Sequence, residues 1–89
     1  MKTFTLKISS PDGDLFSGEV VKLNVRGTEG ELAVMAGHIP FVTALVESDC
    51  SVELEDGEVR FGHTDGGMLS VASDMTLMLS GGFVWRTEE

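Results

Sequence analysis

Apolar and polar side chains alternate with a period of two residues along most of this 89-residue chain. In the first such segment, Phe4, Leu6 and Ile8 are separated by Thr5 and Lys7. Successive side chains of a β-strand point to opposite faces, so this period is typical of strands that bury one face. The same spacing places apolar residues at Val21, Leu23 and Val25, at Val52 and Leu54, at Val59 and Phe61, at Leu69 and Val71, and at Met75, Leu77 and Leu79. We therefore expect eight to ten short strands and no helix.

Short segments rich in aspartate and glycine separate these runs. Asp-Gly occurs at 12–13, 56–57 and 65–66, Ser-Asp at 73–74, and a tight turn is expected at 27–30 between strands 20–26 and 31–35. Glycine adopts positive φ freely and aspartate tolerates it, which suits tight hairpins. Many short strands joined by such turns predict an all-β fold, either an antiparallel β-sandwich or a barrel.

Two segments are expected to lie outside the strands. Residues 36–40 read as a loop, because Pro40 lacks an amide hydrogen and favours an extended conformation at the residue before it. The polar end of the chain, from Trp85 to Glu89, is expected to fray.

Length and charge narrow the classes of function. The length fits a single domain. Fifteen acidic residues against six basic ones give a formal net charge of -9. This charge disfavours binding to nucleic acid or to anionic lipid and favours a basic partner. The sequence contains no apolar run long enough to span a bilayer, and we expect no signal peptide.

The sequence offers little for catalysis or metal binding. His38 and His63 are far apart, and Cys50, the only cysteine, is expected to be buried and unreactive in a reducing compartment. There is no G-x-S-x-G motif, and a phosphate loop at 27–30 is disfavoured because Glu29 and Glu31 would repel the anion. We expect no catalytic, cofactor or metal site, although these two carboxylates could meet a basic partner.

Several short motifs occur in a specific order between residues 4 and 80. They are Phe16-Ser17-Gly18, Gly27-Thr28-Glu29-Gly30-Glu31-Leu32, Gly37-His38-Ile39-Pro40-Phe41-Val42-Thr43-Ala44-Leu45, and Gly66-Gly67-Met68-Leu69-Ser70-Val71. Together they resemble the N-terminal β-sandwich domain of the epsilon subunit of F-type ATP synthases, which corresponds to the mitochondrial delta subunit. The resemblance implies two roughly five-stranded antiparallel sheets packed as a flattened sandwich.

The resemblance also implies a function. The chain would be a non-catalytic rotor subunit of the central stalk that couples the gamma subunit to the c-ring of a proton-translocating synthase. It would be soluble when free and, once assembled, peripheral to the cytoplasmic face of a bacterial inner membrane, without entering the bilayer. Residues 1–89 would form the sandwich domain alone, without the family's C-terminal helical hairpin, and so no nucleotide or other cofactor is expected.

Five positions match the family's contact surfaces. On the c-ring side they are Glu29, Glu31 and His38, and on the gamma side they are Ser10, His38 and Thr43. The chain departs from the family pattern at Ala33 and Ala36, where the family has glycine and proline. The alternative function is a free-standing β-sandwich that binds a small ligand, which would require a concave apolar pocket with converging polar groups.

Overall fold

The computed structural model describes residues 2–86, and regular structure within that range consists of nine β-strands. The strands are β1 (Phe4–Ser10), β2 (Gly13–Gly27), β3 (Gly30–Met35), β4 (Phe41–Leu45), β5 (Ser48–Leu54), β6 (Val59–Thr64), β7 (Gly67–Val71), β8 (Thr76–Ser80) and β9 (Phe83–Arg86). The prediction of eight to ten strands without a helix is confirmed for the described residues. No segment in this range is a helix long and apolar enough to cross a membrane.

The strands form two layers of five that share one long strand. The first half of β2 pairs with β1, and the first sheet continues through β8 and β7 to β4. The second half of β2 lies between β3 and β5, and the second sheet continues through β6 to β9. All pairings are antiparallel except that of β1 with β8, which is parallel. The prediction of an all-β sandwich with two five-stranded sheets is confirmed.

A bulge in β2 lets this strand serve both sheets. Val20 pairs with Phe4 of β1 and also with Leu54 of β5, and the register then shifts before Lys22. A bulge bends and twists its strand locally. Both Val20 and Leu23 are consequently fully buried, although their spacing breaks the alternation.

The core lies between the two sheets. Its buried side chains are mostly branched aliphatic residues, which suit a pleated surface: Leu6, Ile8, Val20, Leu23, Val25, Val34, Leu45, Val52, Leu69, Val71, Met78 and Phe83. Cys50 belongs to this core as a free thiol, as predicted. Burial and the charge of Asp49 raise the pKa of the Cys50 thiol to about 11.

The turns are largely those expected from sequence. The β1–β2, β2–β3, β5–β6 and β7–β8 connections are tight turns between paired strands. The Asp65-Gly66 step was wrongly interpreted as a hairpin: β6 and β7 are not paired, and this step carries the chain from one sheet to the other. Gly66 has a φ of 109°, and an added Cβ would lie 3.0 Å from the carbonyl oxygen of Leu45, which explains the need for glycine there.

Three predictions about the last strands were wrong. In β6 the inward positions are Gly62 and Thr64, while Val59 and Phe61 are exposed. In β8 the buried residues are Thr76, Met78 and Ser80, so that Leu77 and Leu79 face outward.

Trp85 and Arg86 belong to β9 rather than to a frayed end, whereas residues 87–89 lie outside the described range. Trp85 is held by edge-to-face contacts with Phe16 and Phe83, whose ring centroids lie 6.0 and 5.0 Å away.

Candidate docking surfaces

The outer side of the first sheet carries a group of apolar side chains that we call the apolar face: Val42, Ala44, Met68, Leu77 and Leu79. Cross-strand pairing puts Ala44, Met68 and Leu79 in one row, and it aligns Val42 with Ser70 and Leu77 in the next. Val42 is 64% exposed and Met68 and Leu79 are about half exposed. Exposed apolar residues are ordinary singly, but a contiguous set marks a surface suited to a partner.

Ser10 lies beside the apolar face. A shallow groove of about 500 Å³ is bounded by Ser10 and Pro11 on one side and by Met68 and Leu79 on the other. The Ser10 hydroxyl accepts a hydrogen bond from the Asp12 amide at 3.2 Å, which fixes the turn after β1. The structure therefore brings one predicted gamma-side residue to the rim of the apolar face.

Thr43 and His38 are placed differently. Thr43 is half-buried on the inner side of β4, so the outward residues of this strand are its neighbours Val42 and Ala44. His38 is exposed in the loop before β4, where its amide donates to the Met35 carbonyl at 3.2 Å and its ring lies 5.0 Å from that of Phe41.

Glu29 and Glu31 lie together at the opposite end of β3 from His38. Glu29 is exposed at the tip of the β2–β3 turn, and Glu31 follows on the outer side of β3. Glu31 is paired with Arg26 at 3.0 Å, but both side chains remain more than half exposed. Met35 lies four steps along the strand from Glu31, a distance of about 13 Å. The three predicted c-ring residues therefore do not form one cluster.

Other acidic residues, which the sequence analysis missed, extend this end of the second sheet. Glu31, Glu47 and Asp49 border an open depression of about 670 Å³ on the outer side of that sheet. We call Glu29, Glu31, Glu47 and Asp49 the acidic edge. Glu47 and Asp49 carried no signal in the sequence, because only the pairing of β2 with β5 brings them near β3.

His63 lies next to the acidic edge and interacts with two of its carboxylates. Its Nδ1 is 2.8 Å from Asp49 Oδ1, and its Nε2 is 3.2 Å from Glu47 Oε2. The hydrogen bond to Asp49, followed by that to Glu47, raises the pKa of His63, while desolvation opposes the shift. Arg86 donates to the same Asp49 oxygen at 2.7 Å. The His63 hydrogen bond, with a smaller contribution from Arg86, lowers the pKa of Asp49.

A small-ligand site finds little support in this geometry. The 670 Å³ depression is open, and its lining mixes charged residues such as Arg26, Glu31 and Asp49 with apolar ones such as Leu32, Ala33 and Phe61. Within residues 2–86, every buried side-chain nitrogen and oxygen already has a hydrogen-bond partner, so none of these atoms needs a ligand to supply one. Ligand sites are typically concave and apolar with a few converging polar groups. The described surface is better suited to contact with macromolecules.

These features define a β-sandwich domain with a long strand shared by both sheets and two chemically distinct outer surfaces. The family model described as "ATP synthase, Delta/Epsilon chain, beta-sandwich domain" matches residues 3–86. The chain belongs to this family, and the resemblance drawn from its motifs is confirmed.

Relatives and solved structures agree with the family. The chain is 36% identical over 80 residues to the ATP synthase epsilon chain of Psychrobacter cryohalolentis, which is 90% of this chain and 58% of that relative. It matches a chain in the cryo-EM structure of Euglena gracilis mitochondrial ATP synthase with a TM-score of 0.88 and 26% identity, covering 93% of this chain and 53% of that one.

A second solved structure shows the same fold at low identity. It is the central stalk and c-ring of Tetrahymena thermophila mitochondrial ATP synthase, matched with a TM-score of 0.77 and 11% identity over 93% of this chain and 66% of the other. The chain thus spans little more than half the length of the Psychrobacter and Euglena proteins.

Proposed function

We propose that this chain is a non-catalytic rotor subunit that couples the gamma subunit to the c-ring of a proton-translocating F-type ATP synthase. The observation that carries the proposal is the apolar face, exposed on a domain whose family is that of the ATP synthase delta and epsilon chains. Its relatives include a protein named as an epsilon chain, and its fold occurs in a central stalk. On this proposal the assembled chain lies at the cytoplasmic face of a bacterial inner membrane without entering the bilayer.

The apolar face is the proposed contact for gamma. Burial of apolar surface contributes about 25 cal/mol per Å², so covering five adjacent apolar side chains favours a stable complex. Ser10 borders the same surface across the groove next to Met68 and Leu79. In β4 the outward Val42 and Ala44 carry the contact, and Thr43 supports it from the inner side. His38 flanks the surface through the loop that leads into β4.

The acidic edge is the proposed contact for the c-ring. Glu29 and Glu31 project from the β2–β3 turn, where side chains are accessible to a partner. A basic surface on the ring would complement these carboxylates and steer the two parts into register. The apolar face supplies affinity for gamma, while the acidic edge supplies orientation against the ring. The two surfaces together account for a coupling subunit without a catalytic group.

A matched pair of valine substitutions tests the gamma contact. Val42 and Val84 are 64% and 61% exposed, and they lie on β4 of the first sheet and on β9 of the second. We expect Val42→Lys to weaken binding of the chain to its cognate gamma subunit by about tenfold or more, because a contact central to an interface contributes about 1–2 kcal/mol. Val84→Lys is expected to leave binding unchanged. Co-expression, co-purification and titration of the purified partners measure both effects.

Two results would contradict this proposal. One is failure of the unsubstituted chain to bind folded cognate gamma. The other is equal weakening by the two substitutions, which would mean that the apolar face has no special part in the complex. Circular dichroism and thermal unfolding of each variant confirm that the comparison is made between folded proteins.

A further inference from the structure

Three potential metal ligands converge beside the crossover between the two sheets. They are Glu47 from the β4–β5 connection, His63 from β6, and Asp65 from the β6–β7 crossover. Each offers one ligand atom, and these atoms all lie within 4.8 Å of one another. The histidine is about one-third exposed and Glu47 is largely exposed, so an ion could reach the site from solvent. The three elements are separate in sequence, which is why no spacing motif announces the site.

The imidazole of His63 is oriented for metal binding by groups outside the ligand set. Asp49 Oδ1 accepts a hydrogen bond from Nδ1 of His63, and Arg86 donates a hydrogen bond to the same oxygen. Nε2 lies 3.2 Å from Glu47 Oε2, and an ion bound at this place would take the position of the Nε2 proton between the two atoms. A carboxylate on the far nitrogen is the usual companion of a metal-binding histidine, because it fixes both the tautomer and the ring orientation.

The side chain of Asp65 is also positioned by the backbone around it. Its amide donates to the Gly82 carbonyl at 2.8 Å, which ties the crossover to the segment between β8 and β9. A Cβ on Gly82 would collide with Asp65 Oδ2. The absence of a side chain at position 82 therefore makes room for this carboxylate.

We propose that Glu47, His63 and Asp65 bind a divalent first-row transition-metal ion of the zinc type, with Asp49 as the residue that orients His63. One imidazole nitrogen and two carboxylate oxygens match the ligands that zinc accepts, whereas magnesium and calcium prefer oxygen alone. Three protein ligands leave at least one position for water. The bound ion would connect the β4–β5 segment to the crossover and so link the two sheets. This site is separate from the proposed contact with gamma, and it shares Glu47 with the acidic edge.

Titration of the full chain with zinc chloride, followed by calorimetry, tests the proposal. The titration is made at mildly alkaline pH, because a metal ion can bind only after the imidazole has lost its extra proton. The two histidines provide a matched control, because His38 lies in an exposed loop away from the cluster. We expect His63→Ala to abolish binding and His38→Ala to leave it unchanged. Asp49→Asn is expected to weaken binding by about tenfold, the usual effect of losing an orienting carboxylate.

Cobalt provides a spectroscopic readout of the same ligands. Its visible absorption should report bound nitrogen and oxygen ligands in the unsubstituted chain. Glu47→Gln and Asp65→Asn are each expected to reduce both the absorption and the zinc affinity, and Glu55→Gln, at an exposed turn elsewhere, is not. Zinc is also expected to raise the midpoint of thermal unfolding in proportion to its occupancy of the folded state. Zinc binding that is equal in the His63→Ala and His38→Ala variants, or no binding by the unsubstituted chain, would overturn the proposal.

Discussion

The ring of Phe83 occupies the space that a side chain at position 62 would need. A Cβ added to Gly62 would lie 2.5 Å from Cζ of Phe83, and two more ring atoms would lie 3.1 and 3.3 Å away. Phe83 is itself buried and held by an edge-to-face contact with Trp85. The ring therefore cannot move aside without disturbing the β6–β9 end of the core.

Gly62→Ala should consequently destabilise the protein. Overpacking a well-filled core typically costs about 1–3 kcal/mol, and we expect a loss of that size in the free energy of unfolding. Gly81→Ala is the matched control, because an added Cβ there meets nothing within 4 Å. That change should be neutral or slightly stabilising, since alanine restricts the unfolded chain. Urea unfolding of the two variants provides the measurement, and equal stabilities would contradict the explanation.

The same core explains where sequence reasoning succeeded and where it did not. Alternation identified the inward faces of β1 and β5 because Leu6 and Val52 are apolar and their neighbours are polar, and that of β7 because Ser70 separates Leu69 from Val71. It failed in β6 and β8, where most inward positions are polar or lack a side chain: Gly62 and Thr64 in β6, and Thr76 and Ser80 in β8. The buried hydroxyls of Thr64 and Ser80 lie 2.6 Å apart, and each has a further backbone partner. A polar residue that is satisfied in this way can be buried without penalty, which a pattern of polarity alone does not reveal.

The error in β8 also concealed the apolar face. Leu77 and Leu79 were expected to be core residues, and their exposure became visible only when Met78 was found to face inward. Only two of the four residues of the acidic edge were predicted from the sequence. Glu29 and Glu31 stand on a turn that the sequence marks clearly, whereas Glu47 joins them through the pairing of distant strands. Local patterns specify turns and single faces, but clusters assembled across a sheet require the strand order.

Cys50 should resist alkylation while the protein is folded. With a pKa of about 11, only about one molecule in a thousand carries a thiolate at pH 8, compared with about one in ten for an unperturbed thiol. Burial further blocks approach of the reagent. Labelling by iodoacetamide at pH 8 is expected to be slow in buffer and fast in denaturing urea. Rapid labelling of the folded chain would contradict the buried position.

The raised pKa of Cys50 also predicts how stability changes in alkali. The folded state retains the thiol proton to a higher pH than the unfolded state does. The associated stability is therefore fully present below the ordinary thiol pKa and is lost as pH rises through about 11. Cys50→Ala removes this contribution, so the variant should lose less stability than the unsubstituted chain over that alkaline range. Parallel loss in both proteins would show that other groups dominate.

Asp14 should contribute to stability in the opposite pH direction. The Ser9 hydroxyl donates a hydrogen bond to Asp14 Oδ1 at 2.7 Å, and this bond is the main cause of the lowered pKa of Asp14. Partial desolvation opposes the shift, and the ammonium group of Lys7, 3.4 Å from Asp14, reinforces it. Because the folded-state pKa is depressed, the stabilisation is present above the ordinary aspartate pKa and is lost as pH falls through the lowered value. Ser9→Ala should raise the Asp14 pKa measured by carboxyl NMR. An unchanged pKa in that variant would rule out the hydroxyl as the main cause.

Neutralising the tip of the acidic edge should impair coupling more than folding. Glu31 pairs with Arg26 in an exposed position, and such pairs contribute only about 0–1 kcal/mol to stability, so Glu29→Gln with Glu31→Gln should leave the fold intact. If these carboxylates face basic loops of the c-ring, the double variant should bind the ring more weakly and with less dependence on salt. Glu55→Gln is the control, because it lies on the β5–β6 turn, at the opposite end of the second sheet.

The assay adds each protein to cognate synthase depleted of its own epsilon subunit and follows ATP-driven proton pumping at low and high ionic strength. We expect pumping to be restored by the unsubstituted chain and by Glu55→Gln but only partly by the double variant. Full restoration by the double variant at every ionic strength would exclude the acidic edge as the contact with the ring.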